Sequence, residues 1–261
     1  MEDWEQEMYM VHSKTATYKK RIAEAIIIAE SALKNISGKC SMSFSGGKDS
    51  IVMLDICVKA GFKGDLIQFF YSEYENPKMN LDMAKYCAEK YNLKLHVIKC
   101  YSVTDAWNEV GYFYIVPTTK REKELARKAD TDFRTKTLKF SKEQGYELNF
   151  IGMRKAESKR RTMTLCCKGL TYFTKTRDIM TCCPIGNLTN EDIWAYIVSN
   201  NLPYLPCYDY PYMDRRKIRN ELNYMCSKKA IFEGIIEEYK KIYPEIFAEL
   251  RKRYKNVDSY F

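Results

Sequence analysis

The chain is expected to fold as a doubly wound α/β domain around a mainly parallel sheet, and three observations point there. Short apolar runs alternate with longer amphipathic stretches over the first hundred residues, giving a β-α-β-α-β rhythm. One run, DLIQFFY at 65–71, is nearly continuous in apolar character, as a strand buried on both faces should be. A glycine-rich turn, Ser45-Gly46-Gly47-Lys48-Asp49-Ser50, falls between a strand and a helix. Such sheets bind their ligands at the carboxyl ends of strands.

Residues 14–36 read as an amphipathic helix with Ile22, Ala25, Ile26 and Ala29 on one stripe, and Gly38 as its stop. Residues 39–44 form the first strand. Residues 49–60 form a helix closed by Gly61. The apolar strand at 65–71 follows, then a helix at 79–91 opened by Pro77. Residues 93–99 give a third strand. The stretch 101–130, aromatic and then highly charged, breaks the rhythm as a lid or a peripheral helix. Residues 131–144 read as helix and 147–152 as a fourth strand. Residues 153–188 read as irregular, basic and cysteine-rich. A helix spans 189–199, with Thr189 as its cap and Glu191 and Asp192 at its positive end. One or two helices around Pro244 fill 227–254.

The 261 residues, 46% of them hydrophobic, suffice for one full core with a small appended lobe. We expect an N-terminal helical segment at 1–38, a nucleotide-binding α/β domain at 39–210 and a helical extension at 211–261. No run of eighteen apolar residues occurs, so no membrane span is expected. The first ten residues lack the basic start and apolar core of a signal peptide, which favours the cytoplasm. Ten cysteines there are expected to be reduced. The net charge of +9 favours polyanions and reads as an excess spread along the chain.

At the turn, two glycines allow a sharp bend and close approach to an anion. The N–H groups of the following helix then face that anion. Ser45 and Ser50 add hydroxyls, and Lys48 adds a mobile cation. The turn is not a Walker A loop, which would need Gly at Met42 and Ser or Thr at Asp49.

The residues match S-G-G-x-D-S, and here the chain resembles the PAPS reductase-like branch of PP-loop proteins. Three further segments carry the resemblance in order: residues 70–78, ending in Pro77-Lys78; residues 151–160, with Gly152, Arg154, Glu157, Ser158 and Arg160; and residues 184–209, with Trp194 and the Leu202-Pro-Tyr-Leu-Pro-Cys-Tyr-Asp209 turn. The resemblance implies a five-stranded sheet of the HUP-like adenine nucleotide alpha-hydrolase fold. It implies nucleotide contacts from Ser43, Phe44, Ser45, Gly46, Gly47, Lys48, Asp49 and Ser50, from the backbone of Phe70, Tyr71 and Ser72, and from Gly152, Arg154 and Arg160. Lys48, Asp49 and Arg154 are the candidate catalytic residues. ATP and Mg²⁺ are the expected cofactors, with Asp49 helping to hold the metal. Bidentate guanidinium forks suit phosphate or sulfate.

The chain departs from the reductases of this branch. No Glu-Cys-Gly-type motif follows Cys226, and no Cys-x-x-Cys occurs. Two tandem pairs, Cys166-Cys167 and Cys182-Cys183, are left to explain. They could hold an iron–sulfur cluster with Cys207 or Cys226 as a further ligand, relay a persulfide, or only pack. The Tyr-rich stretch 204–212 and the basic run 251–255 read as an ordered loop and a solvated helix end. The expected activity is an ATP pyrophosphatase forming an adenylyl intermediate for sulfur incorporation into DNA or tRNA. A cysteine desulfurase and a nucleic-acid-modification complex would be its partners, and a homo-oligomer is compatible. PAPS or APS reduction or sulfate adenylylation, and a non-catalytic nucleotide-binding subunit of a defence complex, are the alternatives.

Overall fold

A computed structural model describes residues 1–210, 214, 215, 218 and 235–260. Cys226 and residues 211–213 of the Tyr-rich stretch lie outside the described residues. The chain divides into two compact units, Met1–Phe69 with Met79–Ile98 and Thr137–Ile218, and Phe70–Lys78 with Lys99–Lys136 and Arg219–Phe261.

The first unit is built on a sheet of strands β1 (Lys39–Ser43), β2 (Asp65–Phe70), β3 (Leu95–Lys99), β4 (Tyr146–Ile151), β5 (Thr171–Thr174) and β6 (Ile179–Cys182). Their order is β3-β2-β1-β4-β6-β5. β1 runs parallel to both β2 and β4, and β4 runs parallel to β6. The doubly wound, mainly parallel fold is as expected, but the sheet has six strands rather than five. The missed pair is the β5–β6 hairpin, antiparallel, inside the segment read as irregular. Each of its strands is four residues long, too short for alternation to register, and its turn needs Asp178 at φ 53°. The same segment also holds a helix, which we number α7 (Lys159–Lys168).

Helices α1 (Asp3–Ser13), α2 (Ala16–Lys34), α3 (Lys48–Lys59), α4 (Lys78–Lys90) and α8 (Asn190–Ser199) complete this unit. α3 is its central helix, in contact with α2 and α8. Ile51, Val52, Met53, Leu54 and Ile56 are all buried. A hydrophilic pin fixes its far end. The Asp55 carboxylate accepts from the Tyr91 and Tyr196 hydroxyls, each at 2.7 Å, and pairs with Lys59 at 2.8 Å. Burial pushes that carboxyl up, but these three partners together hold it below the ordinary range. Under the sheet, Ile67, Tyr146 and Ile179 form a buried cluster with Phe69, Ile98 and Phe140 against it.

α8 starts as the sequence indicated. Thr189 and Asp192 form a reciprocal capping box. Asp192 is fully buried and also meets His12 Nε2 at 2.8 Å and Arg21 Nη1 at 2.9 Å, which fastens α1 and α2 to the start of α8.

The second unit holds α5 (Val103–Val110), most of α6 (Lys120–Gln144), α9 (Ile235–Ile242) and α10 (Pro244–Arg253). The charged run read as a lid or peripheral helix is part of the 25-residue α6. Pairs four residues apart, Asp130–Arg134 and Asp132–Lys136, support it. Trp107, Phe113, Phe247, Leu250 and Tyr254 form the core of this unit. Pro244 opens α10, the position where a missing N–H costs nothing.

Glu122, in the first turn of α6, is buried and accepts from the Thr119 N–H at 2.9 Å and the Tyr112 hydroxyl at 2.6 Å. Burial pushes its carboxyl up, but these donors win and bring it down to about 2. A depressed acid stabilises the fold above its unfolded pKa, near 4.5, and that contribution is lost as pH falls toward about 2. Glu122→Gln should therefore lower stability at pH 7 and flatten the acid limb between those values. Urea midpoints measured across that range, with unchanged slopes in the variant, would contradict the assignment.

Among the described residues, no helix is long and apolar enough to cross a membrane.

Candidate nucleotide site

β1 lies between β2 on one side and β4 on the other, so the chain leaves it in one direction and later returns on the opposite side. This is the switch point of the sheet, where the loops after two neighbouring strands part and leave a crevice. Ser43 of β1 pairs with Ile151 of β4. The turn at 44–47 and the segment at 152–154 therefore emerge side by side. The Asp49 carbonyl and the Ser50 amide nitrogen would lie 3.7 Å from a Cβ at Gly152.

The turn holds itself together. Phe44 is buried, and its N–H donates to the Ile67 carbonyl at 2.8 Å. Gly46 has φ +77°, and a Cβ there would stand 2.7 Å from the Asn80 carbonyl oxygen. Gly47 caps α3 in an extended conformation without a side chain. Its N–H donates to Ser45 Oγ at 3.3 Å, which lies 3.3 Å from Ser50 Oγ, and Ser50 Oγ donates to the Gly47 carbonyl at 2.8 Å. The first intrahelical bond is Ile51 N–H to Gly47 O, so the N–H groups of Asp49 and Ser50 precede the helical ladder.

Two contacts were not legible in the sequence. The Lys48 N–H donates to the Tyr208 hydroxyl at 3.3 Å, and the Lys48 ammonium sits 5.3 Å from the centre of the Tyr208 ring. The second is an ion chain. Lys48 Nζ is 3.3 Å from one Asp49 oxygen, and Arg154 Nε is 2.7 Å from the other. The Arg154–Asp49 contact is an ion pair whose N–H direction falls outside hydrogen-bond geometry. Arg154 is 1% exposed. Its remaining nitrogens donate to the Leu188 carbonyl at 3.3 Å and to Asn190 Oδ1 at 2.8 Å. Burial pushes the Asp49 carboxyl up, but Lys48 and Arg154 together hold it below the ordinary carboxylate range.

The structure thus brings together Ser45, Gly46, Gly47, Lys48, Asp49, Ser50, Gly152 and Arg154. Ser43 faces β4, where its Oγ accepts from Asn149 Nδ2 at 3.0 Å. Arg160 is exposed in the first turn of α7. Phe70 ends β2, and Tyr71 and Ser72 follow it in the second unit, with the Tyr71 N–H on Asn76 and Ser72 Oγ on Glu75. Arg154 carried a sequence signal as an anion-binding group. Its partners Leu188 and Asn190 lie more than thirty residues away and carried none.

The arrangement fits an anion at the start of α3. It does not fit a divalent cation held directly by Asp49, whose two oxygens each already face a cation. The two tandem pairs do not form one site. Cys166 and Cys167 are exposed on α7, whereas Cys182 and Cys183 are buried. Burial pushes the Cys182 thiol up to about 11 and Cys183 to about 12, so both stay protonated. Cys207 is buried as well. Among the described residues, no group of three or more His, Cys, Asp and Glu is arranged to hold a metal ion.

The chain is 24% identical over 248 residues to the uncharacterized protein MJ0066 of Methanocaldococcus jannaschii, covering 88% of this chain and 48% of that protein. It therefore spans about half the length of this curated relative. Its fold is similar to that of phosphoadenylyl-sulfate (PAPS) reductase from Candida auris, solved with phosphate (TM-score 0.54, 18% identity, 73% of this chain and 86% of the other). It is also similar to the U34-tRNA thiolase NcsA from Methanococcus maripaludis, solved with its [4Fe-4S] cluster (TM-score 0.51, 14% identity, 89% and 80%). The model of the phosphoadenosine phosphosulfate reductase domain matches residues 39–214, from the first residue of β1 through the whole sheet. With the S-G-G-x-D-S turn at the switch point of its sheet, this chain belongs to the phosphoadenosine phosphosulfate reductase domain family of PP-loop proteins.

Proposed function

We propose that the chain is an ATP pyrophosphatase that adenylylates an acceptor and so prepares it for sulfur. The observation that carries this reading is the 45–50 turn at the switch point, with Lys48 beside it. The N–H groups of Asp49 and Ser50, with the helix dipole behind them, suit the phosphates. An arriving phosphate competes with Asp49 for the Lys48 ammonium, which then neutralises charge on the departing pyrophosphate. Asp49, braced by Arg154, keeps that ammonium next to the turn. An unprotonated acceptor oxygen, of a phosphate or a base carbonyl, attacks the α-phosphorus, the α–β bridging bond breaks, and pyrophosphate leaves. The outer sulfur of a persulfide then displaces AMP from the acceptor, and a second thiol attacks the inner sulfur, so that the S–S bond breaks and a disulfide is left on the protein. Mg²⁺, when present with the nucleotide, would neutralise phosphate charge. The acceptor class is a nucleic acid, with a cysteine desulfurase supplying sulfur. Cys166 and Cys167 are the pair exposed enough to take up a persulfide.

Chromatography of products from ATP, Mg²⁺ and an acceptor nucleic acid should show AMP and pyrophosphate. Lys48→Ala should lower the rate about a hundredfold, as loss of one charge-stabilising donor does elsewhere. ADP with orthophosphate would overturn the reading. The family match favours one second reading, reduction of an adenylyl sulfate. Sulfite release from PAPS with a dithiol, and no pyrophosphate from ATP, would select it. Tight nucleotide binding without turnover would select the non-catalytic alternative.

A further inference from the structure

The positive charge of this chain is not spread along it, as composition suggested. Residues 155–177 hold seven Lys and Arg against one acid, Glu157, and so carry +6 of the net +9. The other 36 basic and 33 acidic residues nearly cancel. The fold gathers this segment into one outer element made of the 3-10 turn Lys155–Glu157, helix α7, edge strand β5 and the turn that leaves it. Lys159, Arg160, Lys168 and Lys175 are exposed. One exposed stripe of α7 runs through Lys159, Met163, Cys166 and Cys167, with Met163 69% exposed. β5 has no strand on its outer side. Lys168 Nζ lies 5.1 Å from the centre of the Tyr172 ring, and Phe173 leaves half of its surface, 50%, in water.

We propose that this face binds single-stranded nucleic acid, with phosphates on its cations and an unstacked base on Phe173. Clustered Lys and Arg release counterions from a phosphate backbone, which a scattered excess of the same size does less well. An exposed aromatic ring on an edge strand flanked in sequence by Lys168 and Lys175 suits a strand whose bases are free to stack. A duplex hides those base faces, and an acidic protein surface has no use for the ring. The inference deepens the function proposed above. The segment begins next to Arg154, which meets Asp49 of the turn, so a strand held here would pass close to the activated phosphate.

The test is fluorescence anisotropy with a labelled oligo-dT of about 20 nucleotides, longer than one stacking platform needs. Salt should weaken binding steeply between roughly 50 and 200 mM. The Lys159→Ala/Lys168→Ala/Lys175→Ala triple variant should lower the slope of log affinity against log salt by about 2, at ~0.7 per phosphate contact. Phe173→Ala should weaken binding about tenfold. The control triple Lys19→Ala/Lys20→Ala/Lys85→Ala removes the same charge from other exposed positions and should change neither quantity. An equal loss in the control, no loss in the test triple while circular dichroism shows it folded, or tighter binding of a duplex of the same length would each overturn the proposal. Gly46→Ala separates the two readings, because it should lose nucleotide and keep oligonucleotide. Oligonucleotide binding without AMP formation would sustain this surface and count against the reaction alone.

Discussion

Gly46→Ala should weaken nucleotide binding by about 2–3 kcal/mol, roughly 30- to 150-fold. Two costs act together. At φ +77° an L side chain is strained, and the added Cβ would meet the Asn80 carbonyl oxygen at 2.7 Å. That oxygen belongs to backbone in α4 and cannot swing away as the tip of a long side chain would. The relief is for the turn to open, which breaks the ring of bonds through Ser45, Gly47 and Ser50 and turns the helix-start N–H groups off their target. Calorimetric titration with ATP measures the loss. Thermal melting alongside it should show a smaller change, because the core of α3 lies beyond the turn. Unchanged ATP affinity in a folded Gly46→Ala protein would remove this turn as the nucleotide site.

Arg154→Ala should cost about 1–3 kcal/mol of stability, the range for leaving buried hydrogen-bonding groups without their partner. It leaves the Asp49 carboxylate with Lys48 alone and strands the Leu188 carbonyl and Asn190 Oδ1. Asp49→Ala/Arg154→Ala should recover none of the loss, since the buried Lys48 ammonium is then left without its carboxylate. Arg154→Lys should recover less than wild type, because an ammonium cannot serve three separated acceptors as a guanidinium fork does. The deficit is also pH-dependent. In the wild type the Asp49 carboxyl is depressed, so its contribution is present above the unfolded value near 4 and is lost as pH falls below it. In Arg154→Ala only Lys48 opposes burial, so that carboxyl takes up a proton more readily. The difference between the two proteins should therefore shrink in acid. Urea unfolding at pH 7 and below pH 4 measures it. A loss under about 1 kcal/mol at pH 7, as for a surface pair, would show that the pair bears no strain.

What could be read ahead of the structure was local. The 45–50 turn is one short string whose chemistry lies within itself, and it folded as its residues indicated. β1, β2 and β4 carried enough buried apolar residues to stand out, and Thr189 with Asp192 announced the start of α8. What escaped depends on residues distant in the chain. The His12 and Arg21 contacts to Asp192 cross some 170 to 180 positions. Tyr208 looked like packing, and it does pack, with its ring 5.4 Å from that of Trp194. Nothing in the string marks its hydroxyl as the partner of Lys48. Arg154 was seen as a phosphate ligand, and its contacts to Asp49, Leu188 and Asn190 had no mark in the string. The cysteine pairs looked alike as letters. The helix exposes one pair, and the strand end buries the other.

The pairing of β1 with β4 also bears on how the protein is made. Ser43 and Ile151 are neighbours in the sheet but more than a hundred residues apart in the chain. At ~5–20 residues per second, a ribosome needs several seconds to deliver β4 after β1 has emerged. During that interval β1 is paired on its β2 side alone, and Asp49 has no Arg154. Contacts of such long range also slow the search for the native state. The nascent N-terminal half should accordingly be unable to hold nucleotide, and its apolar α3 is the segment most in need of a chaperone until the second half arrives.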